Sequence, residues 1–318
     1  MPSASQWYSF EYNLSHFGGP LLIGIGSVSC ILNILVFTKS SLGKNSCTIC
    51  LTTVNIINLL FLYFGLLSTV LDIGYNINPS STSIIFCRFR FYMATLLSCC
   101  QSSCLVLASI DRTLITSSHA SWRKRSTPRL MITSIISICS FWAIFHIHVW
   151  IFTQILEYKP NYFMCYHQPG AYTVFISYYS LLTNGIVPPV FFAIFGCWTV
   201  MNIRQARSIK QRLSMVPTGV ATIGRLHNLR SQDQQLIRML LVDIIIYIIC
   251  KLPVVILYMY AQITQYAEKS EEQHTIEQAI LQFAYFVFFI ENSIGCYTNL
   301  LVSKRFRKEL LRLLTKTR

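Results

Sequence analysis

Seven apolar runs, each long enough to cross a membrane, constrain this 318-residue chain more than any other feature of its sequence. A helix needs about 20 apolar residues to span the roughly 30 Å hydrocarbon core, where no water can bind exposed backbone groups. Only 12% of the residues are charged, against about 25% in an average soluble domain, so lipid is the expected solvent. The predicted helices are 20–38, 48–71, 84–114, 130–153, 172–202, 236–261 and 277–302.

The distribution of basic residues predicts how this bundle is oriented. All but five of the 26 lysines and arginines fall in segments on one side of the predicted membrane, chiefly 112–129, 204–238 and the tail. Basic residues near helix ends are retained in the cytoplasm, so that side is predicted to be cytoplasmic. The chain then divides into an extracellular N-terminal tail (1–19), a seven-helix domain (20–302) and a cytoplasmic segment (303–318).

The C-terminal segment has the pattern of a helix that lies on a membrane surface. Basic residues at 304–308 precede leucines at helical spacing, which gives an apolar stripe beside a basic one. The net charge of +14 would also suit nucleic acid, but that partner requires a soluble domain to carry the charge. The predicted fold class is an all-α membrane protein, a seven-transmembrane helix bundle with a short cytoplasmic interfacial helix, whose environment is the lipid bilayer.

The cysteines and one short motif fit the same topology. Of the twelve cysteines, ten fall within predicted helices or on the predicted inner side. Cys87 and Cys165 lie on the outer, oxidising side, where a disulfide can persist. Asn13-Leu14-Ser15 is an N-glycosylation acceptor in the predicted outer tail, although such a short motif often occurs by chance.

No motif for catalysis or metal binding accompanies the predicted helices. His146 and His148, two residues apart on the fourth predicted helix, are expected to point to different faces and to make a poor metal pair. Cys47 and Cys50 have no second cysteine pair or histidine cluster to complete a site. A glycine-rich phosphate loop and a nucleophile elbow are also absent from the sequence. The sequence therefore predicts no enzyme, no cofactor and no metal site.

The order of several motifs resembles the rhodopsin family of G-protein-coupled receptors. In the third helix, Cys87 stands twenty-five residues before Arg112, which follows Asp111 near the predicted inner end. Each motif alone is weakly specific, but their order and spacing together are specific, and the resemblance covers about residues 20–308. The other matching positions are Asn33 in the first helix, Trp142 in the fourth, Pro189 in the fifth, Tyr247 and Cys250-Lys251-Leu252-Pro253 in the sixth, and Asn292-Ser293 in the seventh.

The resemblance implies both a disulfide and a signalling role. The family's bridge would join Cys87 to Cys165, and Asp111 and Arg112 would form the switch at the inner mouth of the bundle. The implied function is a receptor in the plasma membrane that transmits the binding of an extracellular ligand to heterotrimeric G proteins. An uncoupled or constitutively active seven-helix scaffold or modulator is the alternative. A transporter is less well supported, because the sequence has no inverted repeat.

The chain departs from the family in the middle of the bundle. Asn58 replaces the family's aspartate of the second helix, so the family's sodium pocket is expected to bind sodium poorly. Lys251 replaces the tryptophan of the sixth helix, and an unpaired charge at that depth costs about 2.5–3.5 kcal/mol on insertion scales. Glu291 lies at a similar depth on the seventh helix. An ion pair between Lys251 and Glu291 is therefore predicted.

The ligand class is narrowed by exclusion. Ala94 stands where amine receptors of the family carry an aspartate, and the seventh predicted helix has no lysine for a retinal Schiff base. The third outer loop, 268–277, carries four acids against one base, which would steer a cationic peptide toward it. A solvated loop without a role in binding is the alternative. The pocket residues implied by position in the family are Phe91, Ala94, Thr95, Leu257 and Gln282.

Overall fold

Seven helices of the computed structural model are long and apolar enough to cross a membrane, which confirms the predicted bundle. The structure describes residues 4–39, 45–159, 162–213, 220–264, 267 and 269–316. An eighth helix, α8 (Lys304–Lys316), follows the last crossing helix directly. The crossing helices are α1 (Gln6–Lys39), α2 (Ser46–Gly74), α3 (Ile84–Thr116), α4 (Pro128–Phe152), α5 (Ala171–Gln205), α6 (Gln235–Ala261) and α7 (Glu271–Val302).

Polar side chains at the helix starts fix where several crossing helices begin. The first backbone N–H groups of a helix have no carbonyl partner within it, so a side-chain oxygen just before the helix satisfies one of them. Pro128 at the start of α4 has its backbone φ angle fixed near the helical value. Its missing N–H costs nothing there, because the first N–H groups of a helix have no partner within it. The capping residues are Asn45 for α2, Ser83 for α3, Thr127 for α4 and Ser270 for α7.

The first helix begins earlier than the hydropathy of the sequence predicts. An α-helix from Ala4 to Asn13 and a π-helical turn from Leu14 to Gly18 continue directly into Gly19–Lys39. The 34 residues of α1 extend about 50 Å at roughly 1.5 Å per residue, which exceeds the thickness of the hydrocarbon core. Residues 4–19 of the predicted tail are therefore helical, whereas the extracellular placement of the tail stays a prediction.

A two-stranded hairpin, which the all-helical prediction did not include, covers one end of the bundle. Strands β1 (Thr153–Lys159) and β2 (Tyr162–His167) pair antiparallel between α4 and α5. A disulfide joins Cys87 at the start of α3 to Cys165 on β2, as the resemblance implied. We call this end of the bundle the hairpin end and the opposite end the Arg112 end.

The eighth helix is attached to the bundle at the Arg112 end. Phe306 is fully buried and packs edge-on against Phe37 of α1, with ring centroids 5.7 Å apart. The Gln235 side chain of α6 accepts hydrogen bonds from the Ser303 hydroxyl and the Arg305 amide. These contacts join α8 to both α1 and α6, and its sequence places four basic residues within 304–308 before leucines at 310, 311, 313 and 314.

Gly26 lies where α1 packs tightly against both α2 and α7, and replacing it should destabilise the bundle. A Cβ atom at this position would lie 2.6 Å from both Leu62 Cδ1 and Ser293 Oγ. We expect Gly26→Ala to cost about 1–3 kcal/mol through overpacking and to lower the melting temperature of the purified protein. Gly24→Ala is the matched control, because a Cβ there meets nothing within 4 Å. Equal melting temperatures for the two variants would contradict this packing.

Candidate functional site

The core polar cluster, formed by Asn58, Gln101, Lys251, Glu291 and Asn292, surrounds a buried lysine in the middle of the bundle. Lys251 lies on α6, and only 2% of its side chain is exposed. Its Nζ is 3.5 Å from Oε2 of Glu291 on α7, whose side chain is 6% exposed. The ion pair predicted from the sequence is therefore present. Because an unpaired charge at this depth is costly, the pair explains how the bundle accommodates a lysine.

The amides of the core polar cluster connect four helices. Gln101 of α3 donates from Nε2 to Glu291 Oε2 over 2.7 Å, and its Oε1 is 3.5 Å from Lys251 Nζ. Lys251 Nζ also lies 3.4 Å from Asn292 Oδ1 on α7. Asn292 Nδ2 in turn donates to Asn58 Oδ1 on α2 over 3.1 Å. The hydrogen bonds and the ion pair around the Lys251 ammonium thus link α2, α3, α6 and α7.

Aromatic rings enclose the same ammonium group. Lys251 Nζ is 3.4 Å from the centroid of the Phe288 ring and 5.6 Å from the centroids of Phe61 and Tyr247. The negative face of an aromatic ring attracts a cation, most strongly where water is excluded. These rings therefore favour the charged form of the lysine in a site that water scarcely reaches.

The core polar cluster carries its own cation where the family's sodium pocket would lie. Asn58 contributes an amide where the family has a carboxylate, and Glu291 supplies the carboxylate from α7 instead. The Lys251 ammonium is surrounded by oxygen atoms of Glu291, Gln101 and Asn292. A second cation in this space would be repelled by the lysine. The expectation of weak sodium binding stays a prediction, and the geometry gives it a physical reason.

A second polar group joins α1 to its neighbours nearer the Arg112 end. Asn33 Nδ2 donates to Asn55 Oδ1 on α2 over 2.7 Å, and Asn299 Nδ2 on α7 donates to Asn33 Oδ1 over 3.2 Å. All three asparagines are buried. Asn55 was not predicted from the sequence, because an asparagine within an apolar run gives no sign of its partner.

Arg112 and Asp111 are buried near the end of α3 at the Arg112 end and hold three elements together. Arg112 Nη2 lies 2.7 Å from Asp111 Oδ2 and 2.5 Å from Oδ1 of Asn45, the residue that caps α2. Ser126, in the connection between α3 and α4, donates to the other oxygen of Asp111. The sequence predicted the pair itself but not Asn45 or Ser126, which reach it only once the chain has folded back.

Two of the other predicted positions make specific contacts between helices. Trp142 Nε1 of α4 donates to Ser103 Oγ of α3 over 2.9 Å. The Tyr247 hydroxyl of α6 donates to the carbonyl oxygen of Asn184 on α5 over 3.2 Å, and its ring packs edge-on against Phe192. These side chains position α4 and α5 against the helices of the core polar cluster.

The two predicted prolines lie within α5 and α6, where these helices come close to each other. Pro189 follows the π-helical turn Leu181–Ile186 of α5, and Pro253 lies inside α6. A proline has no N–H, so each one removes a hydrogen bond and weakens its helix locally. A Cβ at Gly185 would lie 2.5 Å from Val255 Cγ1, so only glycine permits this approach.

The pocket residues implied by the family lie toward the hairpin end but in different surroundings. Phe91 packs against His167 of β2, with ring centroids 4.7 Å apart. Burial lowers the pKa of His167 to about 4, so this ring is neutral at physiological pH. Ala94 and Leu257 pack against the apolar core, and the Thr95 hydroxyl donates to the Phe91 carbonyl of its own helix.

Gln282 lies elsewhere, in a crevice between α1, α2 and α7. Its neighbours there include Thr69 and Val70 of α2 and Tyr285 and Phe289 of α7. Of the five positions, Gln282 alone lines this crevice. Part of the candidate pocket is instead on the α1 side of α7, which the family positions did not indicate.

The acidic segment 268–277, most of which is the start of α7, is less negative than its sequence suggests. Glu277 Oε2 lies 2.5 Å from Lys269 Nζ, and Glu277 Oε1 accepts a hydrogen bond from the Tyr260 hydroxyl over 2.9 Å. Glu271 and Glu272 are exposed in the first turn of α7, where the helix dipole stabilises negative charge. The paired acid therefore adds little to any attraction of a cationic ligand.

His146 and His148 lie closer together than their spacing on a regular helix predicts. α4 is interrupted at His146 by a turn, so the two ring centroids are only 6.1 Å apart. His146 Nε2 is 2.9 Å from the Tyr179 hydroxyl, and His148 Nδ1 is 2.7 Å from the Tyr172 hydroxyl. The expectation of different faces was wrong, because it assumed an unbroken helix. Both histidines join α4 to α5, and the described residues contain no cluster suited to a metal.

The glycosylation motif is helical in this structure. Asn13 is exposed, whereas Ser15 is buried near the hairpin end of α2. The asparagine is thus accessible, but use of the site stays a prediction.

Comparison with known proteins agrees with this architecture. Residues 30–294 match the family described as 7 transmembrane receptor (rhodopsin family). The match begins in α1, ends in α7 and covers most of the chain, so the protein belongs to this family of receptors. It is a multi-pass membrane protein with a role in signalling. No curated protein matches the chain.

Proposed function

We propose that this protein is a G-protein-coupled receptor of the plasma membrane, which transmits the binding of an extracellular ligand to heterotrimeric G proteins. In this proposal the hairpin end and the N-terminus face the outside, as the positive-inside bias of the sequence predicts. The observation that carries it is the buried pair of Arg112 and Asp111, held by Asn45 and Ser126 at the Arg112 end of the bundle.

Arg112 is proposed to switch between this pair and a cytosolic partner. A guanidinium presents five donors in a fixed fork, so once released it can bind backbone carbonyls of an inserted peptide segment. In the present structure its Nη2 group donates to Asp111 and Asn45. A state with an open inner cavity must therefore break these hydrogen bonds, and a G protein would favour that state by binding to it preferentially.

The core polar cluster is proposed to connect the two ends of the receptor. Lys251 on α6 is attached to Glu291 on α7 and to Gln101 on α3. Movement of α6 away from α3 and α7 would separate these groups. A ligand at the hairpin end can shift the equilibrium only by binding the two arrangements with different affinity. Exposed Glu271 and Glu272 favour a ligand with a basic group, such as a cationic peptide.

Arg112→Ala should abolish ligand-independent signalling. We expect cells expressing the wild type to show basal activation of at least one G-protein class, and the variant to show none at matched surface levels. Basal activity is measured across a panel of G-protein sensors. Arg307→Ala on α8 is the control, since it removes an exposed arginine near the same surface. A basal signal that survives in Arg112→Ala would contradict the proposed role, and silence of the wild type and both variants would favour an uncoupled scaffold.

A further inference from the structure

Arg90 is a cation inside the bundle at the hairpin end, one turn of α3 after the disulfide. Its Nη2 donates to Thr69 Oγ1 of α2 over 3.1 Å, and its Nη1 donates to Ser80 Oγ in the connection between α2 and α3 over 3.3 Å. Its side chain is half-buried, and Ser80 is fully buried. Two neutral hydroxyl groups thus hold the guanidinium in a fixed position.

Within the described part of the chain, the charge of Arg90 is not neutralised by a direct ion pair. Among the residues that the structure describes, no carboxylate oxygen lies within 4.0 Å of its guanidinium. Asp72 of α2 is the acid whose charge acts most strongly on it, from a greater distance. An arginine has five N–H donors, and the two hydroxyl groups use two of them. The Arg90 guanidinium therefore has further N–H donors and a positive charge with which to bind another group.

The surroundings of Arg90 connect it to the crevice between α1, α2 and α7. Thr69, which accepts a hydrogen bond from Arg90, also lines that crevice, as does Tyr285 of α7. Tyr285 is near enough to interact electrostatically with Arg90 and with Tyr166 of β2. Arg90 thus lies near Tyr285 and beside a crevice whose walls are mostly apolar.

We propose that Arg90 binds an anionic group of the ligand, either a carboxylate or a phosphate. A guanidinium binds both groups through two parallel hydrogen bonds, which makes it suited to a planar or tetrahedral oxyanion. Tyr285, which lines the neighbouring crevice and lies near Arg90, brings a hydroxyl group to the same region. This inference rests on the proposed function, since it assigns a chemical feature to the ligand of that receptor.

The test measures whether small anions stabilise the purified full-length protein in lipid nanodiscs. The probes are N-acetylphenylalanine, its uncharged amide and phenyl phosphate, each titrated at constant ionic strength while the melting temperature is recorded. We expect at least one anion to raise the melting temperature of the wild type and the amide to have no effect. The preferred anion then distinguishes a carboxylate ligand from a phosphate ligand.

Charge variants decide whether the stabilisation comes from Arg90. Arg90→Gln should raise the midpoint concentration at least tenfold, whereas Asp72→Asn should lower it severalfold by removing a competing negative charge. Arg88→Gln is the matched control, because Arg88 Nε donates to the Thr153 carbonyl under the hairpin instead. If Arg90→Gln does not fold, the gain in Asp72→Asn still tests the assignment.

The proposal is overturned if neither anion stabilises the wild type, if the amide acts equally, or if the charge variants leave the midpoint unchanged. The assay contains no G protein. Failure of G-protein coupling would therefore leave its result intact, and a failed anion titration would leave the coupling measurement intact.

Discussion

Replacing Lys251 with methionine should reduce the amount of receptor at the cell surface severalfold. The substitution leaves the Glu291 carboxylate in the middle of the bundle with the Gln101 amide as its remaining hydrogen-bond donor in the cluster. Breaking one side of a buried ion pair typically costs about 3–5 kcal/mol, because the other charge stays desolvated. Glu291→Leu should have a similar effect, because it leaves the Lys251 ammonium buried without its carboxylate partner. Surface labelling of intact cells measures the loss in each variant.

The combined variant with methionine at 251 and leucine at 291 should recover most of the lost surface expression. Both charges are then removed, and apolar side chains of similar volume replace them, a change that is often neutral or stabilising. Lys304→Met, which removes an exposed lysine on α8, is the control for loss of a positive charge. Additive losses in the combined variant would show that the two residues do not act as a pair.

Removing the disulfide should have an effect of similar size at the hairpin end. Cys87→Ser and Cys165→Ser each open a bridge that spans 78 residues. Loss of a disulfide commonly costs about 2–5 kcal/mol, and here it also releases the hairpin from α3. We expect both variants to lose most surface expression and the combined variant to be no worse than either. Cys197→Ser, which removes an exposed free thiol on α5, is the control. Normal expression of Cys87→Ser would contradict a structural role for the bridge.

The parts of this fold that the sequence predicted are those determined by solvent and local pattern. Each crossing helix contains an apolar run long enough to span a membrane, where a loop could not satisfy its backbone hydrogen bonds. All seven helices were therefore predicted. The pair of Lys251 and Glu291 was predictable because two opposite charges stood at similar depth in apolar helices, where either alone would be costly.

The features that the sequence did not reveal depend on contacts between distant segments. The sequence of residues 153–167 alone does not distinguish a hairpin from an irregular loop. In the structure these residues form a hairpin, which a disulfide holds against α3. The turn at His146 made the prediction from regular helical spacing wrong. His146 and His148 both form hydrogen bonds with tyrosines of α5. Arg90 is one of the five basic residues outside the predicted cytoplasmic segments, and its site was not predicted because its partners Thr69 and Ser80 are common polar residues.

The most direct test of the account is nucleotide exchange on purified heterotrimeric G proteins by the receptor in lipid nanodiscs. We predict that the wild type accelerates GDP release from at least one class of heterotrimer, and that Arg112→Ala of equal thermal stability does not. Purified components remove any contribution from other receptors in the cell. Equal exchange rates with the wild type, with Arg112→Ala and with empty nanodiscs, for every class of heterotrimer, would contradict the claim that this bundle couples to G proteins through Arg112.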